Sequence, residues 1–550
     1  MARPEDLDPV LADLAGRLRD AQLAAGLPEA EAAFERPKNP EHGDWATSVA
    51  LRSAKEAGRS PRDVATVLVE HLDQPEVVEE VTIAGPGFLN FRFAPRYFEN
   101  TVRRVLADGG SFGRRKRDDG ERMNIEFVSA NPTGPLHAGH GRWAAAGDAL
   151  AEVLVADGND VDREYYVNDA GEQIRLFGES VLLAGRGEPL GEDHYKGAYV
   201  ADLASELREE HGDELFVSTD EHVVARLAEV AVERMLDHIR DTLHGLGVQF
   251  DVYFSERSLH EPGGIDAAIT ELSAAGHTYE EDGATFLRTT AFGDDKDRVL
   301  VRRDGRPTYF AADCAYFKDK RDRGYDRLIY ILGADHHGYV GRMRALARCF
   351  DLPDDALEIR IGQNVNLLRG GEPVKMSKRA GEFVTLDEVV EEVGADVARY
   401  VYLRQSLDTT IDFDLDVVAQ QSMDNPVYYV QYAHARIASV IRYADDSGFQ
   451  PGDADAADLS LLSHPAEVEL LRGMAMLPEV VAAAAEMRAP QRVARYAEDL
   501  ASSFHRFYTE CRIVQEDEAL ARGRYWLAVA AKRVLANALA ILRVSAPDRM

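Results

Sequence analysis

Cysteine is scarce in this chain: three residues in 550, Cys314, Cys349 and Cys511, far apart and without CxxC spacing. That excludes a disulfide framework and a zinc site built on paired thiolates, and it leaves small buried apolar side chains as the expected role. No apolar run approaches the roughly 20 residues that a membrane-spanning helix needs. The opening MARPEDLDPVLADLAGRL is acidic and amphipathic rather than a signal-peptide core, so the expected compartment is the cytoplasm. Lysine is scarce too: ten of the 63 basic residues, so arginine supplies most of the positive charge. No internal repeat is visible.

Positive charge as a whole is in deficit, and the formal net charge is −33. Taken alone, this argues against a nucleic-acid partner, because phosphate binding needs a positive surface. The acids, however, are spread along nearly the whole chain rather than gathered in a tail. At 1 M salt a Debye length of about 3 Å screens their repulsion. The charge therefore reads as adaptation to concentrated salt, and any RNA contact is expected to use local basic patches and shape.

What is present is a folded composition, 45% hydrophobic and 29% charged, in a chain long enough for two to four domains. Residues 1–112 read as an N-terminal α+β module, with amphipathic helices, then GDWATSVALRSAKEAG (43–58) and a strand-like VTIAGPGFLNFRF (81–93). DGGSFGRRKRDDGER (108–122) reads as a linker whose RRKR either touches phosphates or is merely solvated. From residue 113 to 424 the pattern is α/β. MNIEFVSA alternates as a strand, NPTGP breaks it, and WAAAGDALAEVLVAD carries Ala146, Leu150, Val153 and Leu154 on one helical face. VDREYYV then follows as a second strand. This is a parallel strand–helix–strand crossover of about 45 residues. RLIYIL (327–332) is apolar throughout, as a central parallel strand should be. Residues 178–250 are acidic and helical and read as an insertion. Beyond Asn425-Pro426, an N-cap and first-turn pair, Val430, Ala433, Ile437, Val440 and Ile441 recur at helical spacing, so 425–550 is expected to be a helical bundle.

Two motifs carry chemistry. The first, Asn131-Pro-Thr-Gly-Pro-Leu-His137-Ala-Gly-His140-Gly-Arg142, sits where a strand gives way to a helix, and free N–H groups at a helix start suit phosphate. Histidines three apart share one face and can donate to charge developing on a phosphate. A metal site is the alternative, but no third ligand lies nearby. The second motif is Lys375-Met376-Ser377-Lys378-Arg379, between RGGEP and AGEF: three cations on a glycine-flanked loop suit a clamp on polyphosphate. Alone it is a common charge run. Its force lies in its position about 235 residues after HAGH.

Together, HAGH and KMSK resemble the HIGH and KMSKS motifs of class I aminoacyl-tRNA synthetases. EFVSANPTGPLHAGHGR (126–142), FDVYFSE (250–256), PTYFAADCAYF (307–317), GADHHGY (333–339), NPVYYVQYAHARI (425–437), GDWATSVA, AGPGF and VSAPDRM (544–550) resemble the arginyl family in particular. HAGH replaces HIGH, and KMSK is intact although many arginyl enzymes have a degenerate version. The resemblance implies a Rossmann-like parallel-sheet catalytic domain, an N-terminal module contacting the tRNA elbow, and a C-terminal bundle reading the anticodon side. It implies ATP-dependent joining of L-arginine to its tRNA through arginyl-adenylate, in a monomer, with arginine activation itself requiring bound tRNA. Mg²⁺ would accompany ATP without a tightly bound protein metal. A halophilic archaeal source is also expected.

The guanidinium of arginine never deprotonates and presents a rigid fork of donors, so its pocket should hold carboxylates and an aromatic face. The family-matching positions are Glu126, Ser129, Asn131, His137, Glu256, Tyr309 and Asp313. Asp313, Glu256 and Tyr309 are expected at the guanidinium, and Asn131 and Glu126 nearer the ammonium. For ATP the positions are Pro132, Gly134, His137, Gly139, His140, Gly333, Asp335, His336, Lys375, Met376, Ser377 and Lys378. Of these, His137, His140, Lys375 and Lys378 hold the reacting phosphates. Tyr428, Tyr429 and Tyr432 either stack anticodon-loop bases or pack the bundle. The rival readings are another class I enzyme such as the cysteinyl one, which the missing zinc-ligand cysteines disfavour, and a non-catalytic RNA-binding paralogue, which the intact motifs disfavour.

Overall fold

Four consecutive buried residues, Leu328, Ile329, Tyr330 and Ile331, make the centre of a sheet that is covered on both faces. In the computed structural model, which describes residues 8–37, 39–260, 263–374, 383–420, 422–423 and 425–550, the five strands are β1 (Arg122–Glu126), β2 (Asp160–Val167), β3 (Val252–Ser255), β4 (Arg327–Gly333) and β5 (Leu357–Gly362). All neighbours run parallel, in the order β5-β4-β1-β2-β3. The strand order therefore reverses between β1 and β4, and the crevice that opens there, at the carboxyl ends of both strands, is where such sheets bind ligands.

The crossover from β1 to β2 is α1 (Ala138–Ala156), the helix expected from the Ala146–Leu154 face. Three helices follow: α2 (Glu172–Arg186), α3 (Ala198–His211) and α4 (Glu221–Gly245). Gly178 lets α2 close on α4, since a Cβ there would lie 2.5 Å from the Ala228 Cβ. After β3 come α5 (Tyr309–Asp322), α6 (Val340–Cys349), α7 (Leu386–Val393) and α8 (Ala395–Leu403). All three cysteines are buried, as expected of small apolar residues.

By contact, Arg117–Tyr428 forms one unit, and residues up to Lys116 form another with Tyr429–Met550. In the second unit, a four-stranded antiparallel sheet has the order Phe34–Glu35, Trp45–Thr47, Phe88–Phe93, Val78–Ala84. The stretch 81–93, read as one strand, is a hairpin. Gly85-Pro86-Gly87 turns the chain, Gly87 at φ +139°, where a Cβ would also sit 2.6 Å from the Pro61 carbonyl oxygen. The expected linker is also partly built in: Phe112 is buried, and Asn537 donates to the Gly109 and Phe112 carbonyls, both at 2.9 Å. Five helices longer than eight residues fill the C-terminal part: Pro426–Asp446, Pro465–Ala475, Leu477–Glu486, Gln491–Glu510 and Glu518–Ile541. Arg36 clamps Glu479 with two bonds, 3.0 and 2.8 Å, joining the N-terminal module to that bundle. Among the described residues no helix is long and apolar enough to cross a membrane.

One carboxylate ties the catalytic unit together. Asp148 of α1, fully buried, accepts from Arg163 of β2 at 2.9 Å and from Arg399 of α8 at 2.6 Å. Arg399 also donates to the Leu246 carbonyl at 3.2 Å. Removing one member of such a group strands charges that water cannot reach. Asp148→Ala is expected to lower unfolding stability by about 3–5 kcal/mol in urea titration, and a loss under about 1 kcal/mol would contradict this account.

Candidate active site

β1 ends at Glu126, and the chain leaves the sheet through two left-handed residues, Val128 at φ +65° and Ser129 at φ +39°. A β-branched residue there is strained and persists only where its surroundings hold it. Here the Ser129 hydroxyl accepts from the Tyr166 N–H at 3.1 Å and donates to Glu126 Oε1 at 3.4 Å, and Tyr165 donates to the Ala130 carbonyl at 2.7 Å. Pro132 is buried, and Tyr199 donates to the Thr133 carbonyl at 3.0 Å. The Tyr199 ring covers Gly134, where a Cβ would come within 3.1 Å of its hydroxyl.

His137 caps α1, and His140 follows in its first turn. The rings stack with centroids 3.6 Å apart. The His137 backbone N–H donates to His140 Nδ1 at 3.2 Å. An N–H can donate only to a lone pair, so the imidazole proton of neutral His140 sits on Nε2. Gly139 leaves room for this stack, because a Cβ would meet the His137 ring at 2.9 Å. The helix start is not wholly free, as expected of an open phosphate site: the Ala138 N–H donates to the Val384 carbonyl at 3.0 Å. The cause is a short antiparallel seam. Leu386 N–H donates to the Leu136 carbonyl at 2.8 Å, His137 bridges Thr385, and the Phe383 ring stands edge-on to His137 at 6.5 Å. Lys375, Met376, Ser377 and Lys378 lie outside the described residues. Phe383–Leu386, further along, are pinned to the histidine motif.

Arg142 secures the same region from behind. Fully buried, it donates to the carbonyls of Gln363 (3.0 Å), Asn364 (3.3 Å), Ser406 (2.8 Å) and Thr409. Burial pulls its guanidinium down to about 10. Trp143 lies on two glycines at the strand ends: Cβ atoms at Gly362 and Gly333 would meet its ring at 2.2 and 3.3 Å.

At the reversal of strand order lies a cleft of about 300 Å³, whose lining includes Glu126, Tyr166, Asn168, Asp313, His336 and Arg342. Burial pushes the Asp313 carboxyl up to about 7. Arg342 counteracts this, while Glu256 and Glu126 add to it. Glu256 is buried just behind Asn168, which donates to its Oε2 at 2.7 Å in the amide orientation that its neighbours require. Burial raises the Glu256 carboxyl too, against His260 and the Tyr166 hydroxyl. Thus two of the expected acids, Glu126 and Asp313, face one cavity, and the third adjoins it.

Other expected residues stand further off. Tyr309 opens α5 at 67% exposure and does not line the cleft; its hydroxyl hangs over Gly171, 3.6 Å from where a Cβ would be. Asn131 is exposed and donates to Gln173 at 2.8 Å. Gly333 ends β4, Asp335 is exposed, and His336, 3.6 Å from Asp335, reaches the cleft wall. Tyr428 is half-buried. Tyr429 and Tyr432 flank His505 with centroids at 4.9 and 5.9 Å, and burial lowers the His505 imidazole.

Sequence reading missed the support behind Glu126. Lys320 Nζ lies 2.6 Å from Glu126 Oε2 and 3.6 Å from Glu164 Oε1; the Tyr316 hydroxyl donates to Glu126 at 2.7 Å and also bonds Glu164. Arg323 forks onto Glu164 at 2.6 and 3.0 Å. Burial pushes the Glu164 carboxyl up, but Lys320, Arg323 and Tyr316 outweigh it and bring it to about 2. FKDKRDR reads as a solvated charge run. The available signal was the spacing Tyr309, Asp313, Tyr316, Lys320, one face of one helix.

Comparison with known proteins follows this geometry. The chain matches the family model described as tRNA synthetases class I (R), catalytic domain, over residues 101–437. Residues 10–93 match the arginyl tRNA synthetase N terminal domain, and 430–550 the DALR anticodon binding domain. It is 51% identical over 553 residues to the arginine–tRNA ligase of Frankia alni, covering all of both chains. It is 50% identical over 555 residues to that of Kineococcus radiotolerans, covering 98% of this chain and 100% of the other. In fold it is similar to Thermus thermophilus arginyl-tRNA synthetase, with a TM-score of 0.77 at 23% identity, covering 98% of this chain and 100% of that one. These three proteins come from bacteria and lend no support to the expected archaeal source.

Proposed function

The chain belongs to the class I arginyl-tRNA synthetases, and from that membership we propose that its cleft holds arginine while its histidine motif holds the reacting phosphate of ATP. The family's activity, ATP-driven ligation of arginine to tRNA through an adenylate, is the activity of this chain. The assignment of residues is our own reading. The observation that carries it is the convergence of Glu126 and Asp313 on one cavity, at the strand ends beside His137 and His140.

Arginine enters with its guanidinium toward Asp313 and Glu256, whose oxygens suit a fork of donors as a single ammonium would not require. Glu126, through its Oε1 side, with Ser129 and Asn131, takes the ammonium end. Tyr309 is assigned to the rim. The arginine carboxylate then attacks the α-phosphate, pyrophosphate leaves, and arginyl-adenylate remains. A terminal ribose hydroxyl of tRNA, the 2′ one by class resemblance, attacks the activated carbonyl and expels AMP. Positioning and electrostatics carry both steps, with no protein nucleophile.

His140 Nε2–H, aimed away from the helix cap, and His137 donate to the α-phosphate region. Pro132, Gly134, Gly139, Gly333, Asp335 and His336 border the nucleotide, and Lys375, Met376, Ser377 and Lys378 take the outer phosphates. Support for the last assignment is the seam that pins Phe383–Leu386 to His137. The imidazoles offer nitrogen, whereas Mg²⁺ prefers oxygen, so the ion rides on the phosphate oxygens. Tyr429 and Tyr432 beside His505, with Tyr428, are offered to unstacked anticodon-loop bases. A monomer and tRNA-dependent activation are carried from the resemblance alone, and cytoplasmic residence is kept as a proposal beside them. Adaptation to concentrated salt is retained as a reading of the −33 charge, independent of lineage.

Arginine-dependent ATP–pyrophosphate exchange, with cognate tRNA present, is expected to fall about 10²–10³-fold in His140→Ala, as loss of a preorganised donor predicts. Exchange driven by another amino acid, or undiminished in the variant, would reject the reading. Asp313 sets a pH dependence. Its free carboxyl titrates near 7 and a bound guanidinium favours the ionised form, so arginine binding releases a proton below that pH. KM for arginine is therefore expected to be flat above pH 7 and to rise by up to about tenfold per unit below it, with the slope lost in Asp313→Asn. For salt, the melting temperature should rise between dilute buffer and about 2 M KCl; a protein that melts highest in dilute buffer is not salt-adapted.

A further inference from the structure

Lys320 is the most thoroughly buried cation beside the cleft, with 0% of its side chain exposed. It lies at the same end of the sheet as the acids, yet it cannot touch a substrate, because Glu126 and Tyr316 stand between it and the cavity that they line. Its ammonium bonds Glu126 Oε2, approaches Glu164, and rests on the faces of Tyr316 and Tyr330 at 4.7 and 4.1 Å. Arg323 and Asn124, the latter at 2.9 Å, complete the partners of Glu164. Arg323 is shared with Asp319 at 2.8 Å, so Lys320 is the cation nearest Glu126 in this group. Purely for stability, an apolar pair of similar volume would serve as well as a buried ion pair. The arrangement has a second consequence: it holds Glu126 by Oε2 against Lys320 and Tyr316 and leaves Oε1 to Ser129, so the carboxylate at the cleft wall has one fixed aim.

We infer that Lys320 is a positioning residue for arginine recognition, acting through Glu126: it fixes the direction of that carboxylate at the cleft wall. The inference rests on the reading of the cleft as the arginine pocket. Without Lys320, Glu126 and Glu164 face each other across Tyr316 with Arg323 as the remaining cation. Close carboxylates that lose their counter-charge repel, and Glu126, with its Oε2 partner gone, turns from its aim. The cleft then loses an anchor that ground state and transition state use alike, so the defect falls on KM rather than kcat.

The test is aminoacylation kinetics of the full chain with tRNA and saturating ATP, beside a melting curve for each variant. Lys320→Met is expected to raise KM for arginine about tenfold while kcat stays within about threefold. Lys320→Arg should recover most of the loss, and Lys320→Met combined with Glu126→Gln should be no worse than the poorer single variant, because both act through one carboxylate. An unchanged KM, a loss confined to kcat, or losses that multiply in the double variant would overturn the inference. Should Lys320→Met fail to fold, Tyr316→Phe decides: it keeps the ring and removes the hydroxyl bridge, and a KM that does not rise refutes the positioning role. Asp313→Asn runs in parallel. If it leaves KM unaltered, the pocket assignment has failed; if it raises KM and the Lys320 variants do not, only this inference has.

Discussion

A parallel sheet offers a ligand a crevice only where its strand order reverses, and here that happens once in the five-stranded sheet, between β1 and β4. The chemistry of the chain follows from that constraint. β1 delivers Glu126 to the crevice, and the chain then runs through residues 127–137 before α1 starts with the histidine pair. The left-handed Val128 and Ser129 are where the backbone strain of that exit is taken. β4 arrives alongside with Gly333, and β5 with Gly362. Gly362 must be glycine because Trp143, one turn beyond His140, lies directly on it, 2.2 Å from where a Cβ would be, and the same ring covers Gly333 at 3.3 Å.

The same unit buries more charge than a fold needs for stability, and each buried cation is handled differently. Arg163 and Arg399 share one carboxylate, Asp148, which fixes α1 against β2 and α8. Lys320 and Arg323 are held among Glu126, Glu164 and Asp319. Arg142 has no carboxylate within hydrogen-bond distance among the described residues. It distributes its charge over four carbonyls from two loops, and burial lowers its guanidinium accordingly. Those loops lead into the two paired strands Val365–Arg369 and Ile411–Asp414. Arg142 therefore binds the histidine helix to the sheet from which the chain runs toward Lys375. The described segments before and after the KMSK motif are thus both tied to the histidine helix, through Arg142 on one side and the Thr385 seam on the other.

Much of this was legible in the sequence wherever a local pattern had a local cause. The apolar run 327–332 became β4, the Ala146–Leu154 face became α1, and Asn425-Pro426 began a helix, with Asn425 Oδ1 accepting from the Val427 N–H at 3.2 Å. Family resemblance placed Glu126 and Asp313 together. What stayed hidden depended on partners far along the chain. Nothing near Phe112 announces Asn537, and a glycine-rich charged stretch reads as a linker until that contact is seen. Tyr309 matches the family pattern, but at the first position of α5 its side chain extends over Gly171 rather than into the cleft. Lys320 was invisible for the opposite reason: its charge is the commonest mark of a surface residue, and only its spacing from Asp313 and Tyr316 betrays the buried face.

The excess of acid and the RNA partner fit together once charge is considered locally rather than summed. Arginine, which supplies most of the cations, is spent largely in pairs. Arg17, Arg175, Arg298, Arg321, Arg327 and Arg369 each hold at least one carboxylate within 3.3 Å. Guanidinium suits this, because its fork binds a carboxylate with two bonds and gives up its hydration more readily than an ammonium does. Such pairs project little field beyond a Debye length. A −33 total thus says little about any one face, and rings with cations seated on them can meet RNA bases whatever that total is. In the C-terminal helices Arg436 lies 4.8 Å over Tyr508, near the Tyr429, Tyr432 and His505 group, a surface on which bases can stack whatever the net charge. Stacking depends less on salt than phosphate contacts do, since it releases no counter-ions. A strongly acidic protein that binds RNA is therefore expected to lean on aromatic surface, and this chain concentrates such surface where the anticodon-binding fold lies.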